Sequence, residues 1–218
     1  MSLTSKQIAD FAWQRYRGCS TARVLNRFRP AICPLDLVVQ AIPRGSSVLD
    51  IGCGSGLLLS YLARCGQISR GVGVDLSPGA IATACKANSG ESGIEFLCVK
   101  AADPWPTEPC DVVTLIDVLH HVAPDQQRRF IERLKGLSAA KIIIKDLAPR
   151  PRWKAWMNAL HDGLMTRSRV WPVEMQRVAD WLGEDGFAVE SASRADRLWY
   201  NHYLITARAR AGKERQEA

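Results

Sequence analysis

The chain has 218 residues, 47% hydrophobic and 23% charged, and a formal net charge of +7. That length accommodates one α/β domain with a buried core and leaves little for a second. No run approaches the roughly 20 apolar residues of a membrane helix, the N-terminus shows no secretory signal, and the seven cysteines stand singly without a C-x-x-C pair, which favours a reducing cytosol over a zinc site or a disulfide framework.

In chain order, Ser5 to Tyr16 and Pro34 to Ile42 read as helices joined by an arginine-rich link over 17–30. From residue 46 onward, apolar runs alternate with helical patterns, the signature of βαβ units in a parallel sheet. Ser47 to Ile51 is a first strand, and Gly56 to Cys65 a helix opened by a glycine turn. Gly71 to Asp75 is a second strand, and Ser77-Pro78 caps a helix that runs to about Ala87. Strands follow at Ile94 to Val99 and Asp111 to Ile116, then an amphipathic helix over Pro124 to Leu137. Lys141 to Leu147, with three isoleucines in a row, reads as a strand buried on both faces. Trp153, Trp156, Met157, Leu160, Leu164 and Met165 recur at helical spacing after Pro149 and Pro151. A helix near Val173 to Leu182 leads into β runs at Phe187 to Ser193 and His202 to Ala207. The domain division is therefore an N-terminal helical lid over 1–44, a main domain over 45–207 with a helical cap insertion at 152–182, and a disordered polar tail at 208–218.

The run Val48-Leu49-Asp50-Ile51-Gly52-Cys53-Gly54-Ser55-Gly56 joins a strand to a helix. Glycines permit a tight turn and close approach of backbone to ligand. A nicotinamide or flavin site would show G-x-G-x-x-G, but Leu57 stands where the third glycine belongs. An acid two residues before the first glycine suits a cationic methionine moiety better than a pyrophosphate. Asp75 ends the second strand, where a carboxylate can accept both ribose hydroxyls.

These residues, together with Asp111-Val112-Val113 and Asp117-Val118-Leu119-His120-His121, resemble the class I (Rossmann-like) S-adenosylmethionine-dependent methyltransferase superfamily. The resemblance covers roughly residues 45–147 and extends to 207 through the strand pattern. It implies a doubly wound, mostly parallel seven-stranded sheet with an antiparallel C-terminal hairpin strand and helices on both faces. It implies S-adenosylmethionine as cofactor, with Asp50, Gly52, Gly54 and Gly56 at the methionine end. Asp75 and Leu76 would hold the ribose and the adenine edge, and the backbone near Asp117 and Val118 the amino group. Many relatives carry an Asp at the end of the third strand, where this chain has Lys100 or Ala101. Either Asp103 or the backbone of Ala101 and Ala102 takes that adenine role.

Methyl transfer from a sulfonium is an in-line displacement that needs no metal, but a hydroxyl acceptor must lose a proton. His120 follows the fourth strand at the ligand edge, Asp146 ends the fifth and can orient a base, and His161 lies on the tryptophan-bearing helix. Tyr200 and His202 are weaker candidates, and no base is singled out. Two segments are strongly basic. Residues 1–45 carry Lys6, Arg15, Arg17, Arg23, Arg27, Arg29 and Arg44 against Asp10 and Asp36. Residues 145–170 carry Lys145, Arg150, Arg152, Lys154, Arg167 and Arg169 against Asp146 and Asp162. The expected enzyme is cytoplasmic and O-methylates a small molecule with an apolar body and an anionic group, under a lid made by 5–30 and Trp153–Arg167. The alternative is an RNA or protein methyltransferase that uses the basic surface. A non-catalytic binding module and an oxidoreductase come further behind.

Overall fold

The computed structural model describes residues 4–149, 170–198 and 200–210. Seven strands form one sheet: β1 (Ser46–Ile51), β2 (Ile68–Asp75), β3 (Ile94–Cys98), β4 (Cys110–Ile116), β5 (Ala139–Leu147), β6 (Phe187–Arg194) and β7 (His202–Ala209). Their order is β3-β2-β1-β4-β5-β7-β6. The first five are parallel, and β7 runs antiparallel between β5 and β6. β5 lies inside the sheet between β4 and β7, and Ile142, Ile143 and Ile144 are fully buried, as a strand covered on both faces requires.

The helices are α1 (Ser5–Arg15), α2 (Ser20–Ile32), α3 (Leu35–Ala41), α4 (Leu57–Arg64), α5 (Pro78–Ala87), α6 (Pro124–Glu132) and α7 (Met175–Glu184). Ser77 accepts a hydrogen bond from the Ala80 amide, with Pro78 in the first turn of α5. Thr4 and Gln7 close a reciprocal capping box on α1. One apolar cluster packs α1, α3, α4 and α5 on one sheet face, with Ile8, Tyr16, Val38, Leu59 and Ile81 among its residues. The other packs α6 and α7 on the opposite face through Ile131, Val178 and Leu182.

Three expectations change. The link over 17–30 is largely helix: α2 occupies Ser20–Ile32. Its apolar Val24, Leu25 and Phe28 recur at helical spacing, but they stand exposed while Asn26 and Pro30 are the residues it buries. The stretch 175–182, assigned to a cap insertion, is part of α7, whose Val178, Ala179 and Leu182 join the sheet core. The tail assigned from 208 begins later, since Arg208 pairs with Lys141 and Ala209 with Phe187. The tryptophan-bearing helix over Trp153–Arg167, with His161, lies outside the described residues.

Candidate active site

The strand order reverses between β1 and β4, so the carboxyl ends of these strands flank a crevice. The turn after β1 opens into it. Gly52, Gly54 and Gly56 all have positive φ, at 75°, 56° and 79°. A Cβ at Gly52 would lie 2.4 Å from Val118 Cγ2, and one at Gly56 2.6 Å from the Phe96 ring. Asp50 is buried, and Thr114 Oγ1 on the neighbouring strand donates to its Oδ1 at 2.6 Å. Burial pushes the Asp50 carboxyl up to about 6.

Asp75 ends β2 as expected. Its Oδ2 accepts from the Gly54 amide and its Oδ1 from the Ser77 amide, each at 2.8 Å. The carboxylate thus ties the glycine turn to the start of α5, and each oxygen keeps a further lone pair. Leu76 beside it is exposed. In the following turn, Asp103 Oδ2 accepts from the Lys100 amide. Arg133 donates to the carbonyls of Ala101 and Asp103 and stacks over Trp105 at 3.9 Å. The Ala101–Ala102–Asp103 turn is therefore held in place, with Ala101 and Ala102 exposed.

After β4, Asp117 adopts φ 60°, and its amide donates to the Lys145 carbonyl at 2.9 Å. Its Oδ1 lies 2.5 Å from Lys145 Nζ and its Oδ2 3.4 Å from an Arg29 nitrogen. Burial would raise this carboxyl, but Lys145 and Arg29 hold it well below the usual carboxylate range. Lys145 is 0% exposed, and despite that burial the facing Asp117 keeps its ammonium charged, above its ordinary value.

His120, in a 3-10 turn at Leu119–His121, places Nδ1 2.5 Å from Asp146 Oδ1 at the end of β5. The Leu119 amide donates to Asp146 Oδ2 at 2.7 Å and the Leu147 amide to Oδ1 at 2.6 Å. Burial would lower the imidazole, but Asp146 raises it above its ordinary value. Asp117, His120 and Asp146 offer ligand atoms within 4.8 Å of one another. Their oxygens already serve the two backbone amides, His120, Arg29 and the Lys145 ammonium, which supplies the positive charge a metal would bring.

Asp117 and His120 line a cavity of about 650 Å³ whose walls also include Leu25, Phe28 and Arg29 of α2, and His202. Tyr16 Oη donates to the Ser55 carbonyl at 2.7 Å, and Asn26 Nδ2 to Ser55 Oγ at 2.9 Å. The N-terminal helices are thus pinned to the glycine turn. His202 Nε2 donates to the Ile32 carbonyl at 2.7 Å, and burial pushes the ring down to about 4.

Arg29, Lys145 and Thr114 escaped the sequence reading as site residues. Lys145 carries one usable signal, a cation within an apolar strand. Arg29 carries none, because only the turn of α2 over the site brings it there. Of the side chains expected to line an acceptor site from the N-terminal segment, Phe28 does so. Trp13, Arg15, Arg17 and Arg27 do not line the cavity. Arg15 instead meets Glu91 and Asn88, and Arg27 meets Asp10.

A family model described as a methyltransferase domain matches residues 49–138. That stretch, somewhat less than half of the chain, is similar to a methyltransferase domain. It contains the glycine turn, Asp75 and His120. A ubiquinone biosynthesis O-methyltransferase of Neisseria meningitidis is 34% identical over 124 residues, which cover 55% of this chain and 49% of that protein. The chain spans about half the length of such curated relatives. A magnesium protoporphyrin IX methyltransferase of Synechocystis, crystallised with SAH, superposes with a TM-score of 0.67 at 21% identity, covering 94% of this chain and 96% of that one. The [4+2]-cyclase SpnF superposes at 0.65 with 17% identity, covering 82% and 80%. The methyltransferase fold therefore does not by itself assign a reaction.

Proposed function

We propose that the chain transfers the methyl group of S-adenosylmethionine to a hydroxyl of a small-molecule acceptor. The observation that carries this reading is the His120–Asp146 pair, of which His120 lines one cavity with the glycine-turn residue Ser55 and with Asp117. The O-methyltransferase names of the curated relatives support a hydroxyl as the acceptor.

The residues fit the cofactor. The positive-φ turn leaves no room for Cβ atoms at Gly52 and Gly56, Asp50 and Asp117 supply anionic character for an ammonium and a sulfonium, and Arg29 is a cation for an α-carboxylate. Asp75 and Leu76 would take the ribose and the adenine edge, and the Ala101–Asp103 turn the adenine amino group. Bound there, the cofactor supplies an electrophilic methyl on a sulfonium. His120 keeps its Nδ1 proton on Asp146 and presents Nε2 as the base for the acceptor hydroxyl, and Asp146 stabilises the resulting imidazolium. The protein otherwise orients the hydroxyl for in-line attack and excludes water.

Residues 1–44 act as a lid through α2, and an acceptor with an apolar or aromatic body suits its Leu25 and Phe28. A cavity of this size suits a small molecule better than nucleic acid. No helix among the described residues is long and apolar enough to cross a membrane, and seven free cysteines fit a cytoplasmic location. Calorimetry with S-adenosylmethionine, S-adenosylhomocysteine and NAD tests the cofactor. Transfer of labelled methyl to a panel of phenols, against total RNA, tests the acceptor. Binding of NAD and neither adenosyl ligand would overturn the proposal.

A further inference from the structure

Helix α2 is amphipathic in the inverted sense. The side chains it buries are Asn26 and Pro30, and Asn26 is committed to Ser55. Its apolar Val24, Leu25 and Phe28 stand 48%, 47% and 64% exposed, beside Trp13 of α1 at 43%. Four of the seven exposed large hydrophobic side chains among the described residues thus fall within residues 13–28. Arg23 joins the two helices, donating to the Trp13 carbonyl at 2.8 Å with its guanidinium 3.6 Å from the Trp13 ring centroid. A contiguous apolar surface of this kind calls for an apolar neighbour.

The charge around the face says which neighbour. Residues 1–45 hold seven bases and two acids. Of the arginines nearest the face, Arg27 meets Asp10, whereas Arg17 and Arg23 form no ion pair with an acid among the described residues. Aromatic and aliphatic side chains rimmed by unneutralised arginines match the boundary between acyl chains and anionic headgroups. Val24, Leu25 and Phe28 also line the active-site cavity, so the apolar surface outside continues into its wall. We infer that the exposed face of α2, with Trp13, docks on an anionic lipid bilayer. An apolar acceptor then passes from the bilayer into the cavity without crossing water. Docking requires no methyl transfer, so its test stands apart from that of the proposed activity.

The test is co-sedimentation of the full chain with vesicles of phosphatidylcholine alone, and of phosphatidylcholine and phosphatidylglycerol in equal parts. The expected result is pelleting with the mixed vesicles only, weakened by salt. The Leu25→Ser/Phe28→Ser double variant should lower the partition coefficient about tenfold, with its melting temperature unchanged because both side chains are exposed. Arg17→Glu should weaken binding in the mixed vesicles as well. Three results would each overturn docking. One is no pelleting with either vesicle. The second is pelleting indifferent to the serine pair, which reports mere adherence of a basic chain. The third is a concentration-dependent dimer, lost in the serine pair and without vesicle binding, which makes a second copy the occupant.

Discussion

His120 Nδ1 lies 2.5 Å from Asp146 Oδ1, so one hydrogen bond joins the carboxyl ends of β4 and β5. Asp146 is itself held by the amides of Leu119 and Leu147, so the imidazole is fixed in tautomer and direction. His120→Asn should lower kcat on the order of a hundredfold or more with little change in cofactor affinity. Because the His120 pKa is raised and the base acts unprotonated, the acidic limb of the kcat profile should lie above the ordinary histidine value of about 6.5, and Asp146→Asn should move it down. A raised folded-state pKa also means that this pair stabilises the fold fully below about pH 6.5, and that its contribution fades as pH rises through the higher folded value. Denaturation midpoints across that range check the sign.

Asp50 is expected to make cofactor binding depend on pH. Its carboxyl is raised to about 6 by burial, so it protonates just below neutrality and loses its attraction for a cationic ligand. The dissociation constant for S-adenosylmethionine should rise as pH falls from about 7 to about 5, and Asp50→Asn should flatten that dependence. Without ligand the sign is fixed by the raised value. Stability from proton uptake is fully present below the unfolded carboxyl pKa of about 3.9, and it is lost as pH rises through about 6. Calorimetry at a series of pH values measures the first effect.

Asp75→Ala should weaken cofactor binding by about 2 kcal/mol, from lost charge-assisted hydrogen bonds to the ribose. It also frees the Gly54 amide, to which Asp75 is bonded at 2.8 Å, so the turn should loosen even without ligand. Gly54→Val should cost at least as much. The nearest atom to its Cβ is Arg29 Nη1 at 3.9 Å, so the penalty comes from φ 56° and from blocking the ligand. Titration calorimetry on both variants tests this, and an unchanged dissociation constant for Asp75→Ala removes Asp75 from the site.

Lys145, fully buried, is paired with Asp117, whose side chain is 21% exposed, and the two depend on each other. Lys145→Ala should destabilise the chain by less than the about 3–5 kcal/mol of a fully buried pair, because Asp117 loses its nearest cation but keeps Arg29 and contact with solvent. Adding Asp117→Asn to that variant should recover part of the loss. Urea unfolding of the two single variants and the double variant measures the coupling.

Removing residues 1–30 is not expected to give a folded enzyme lacking only its lid, because Ile8, Ala12 and Tyr16 are buried in the core. The lid is better tested with Asn26→Ala and Tyr16→Phe, which break its bonds to Ser55 at a cost of about 1 kcal/mol each. Acceptor KM should rise in both, with the fold retained by circular dichroism.

Much of the architecture was legible in the amino-acid order because its signals are local. The runs from Val48 to Ile51 and Lys141 to Leu147, the cap at Ser77-Pro78, and the glycines between Asp50 and Gly56 each state their conformation within a few residues. Asp50 and Asp75 followed from their places at strand ends, and the chain positions of His120 and Asp146 from the carboxyl edge of the sheet. Only the tertiary structure decided what those side chains meet. His120 and Asp146 are 26 residues apart, Asp117 and Lys145 are 28, and Arg29 and Asp117 are 88, so no periodicity links them. Helix α2 went unread for a related reason: its anchor is Asn26 on Ser55, and its apolar Val24, Leu25 and Phe28, although at helical spacing, lie among arginines and outside the sheet core. Local sequence set the backbone path, whereas pairing of charges across strands depends on which strands the sheet makes neighbours.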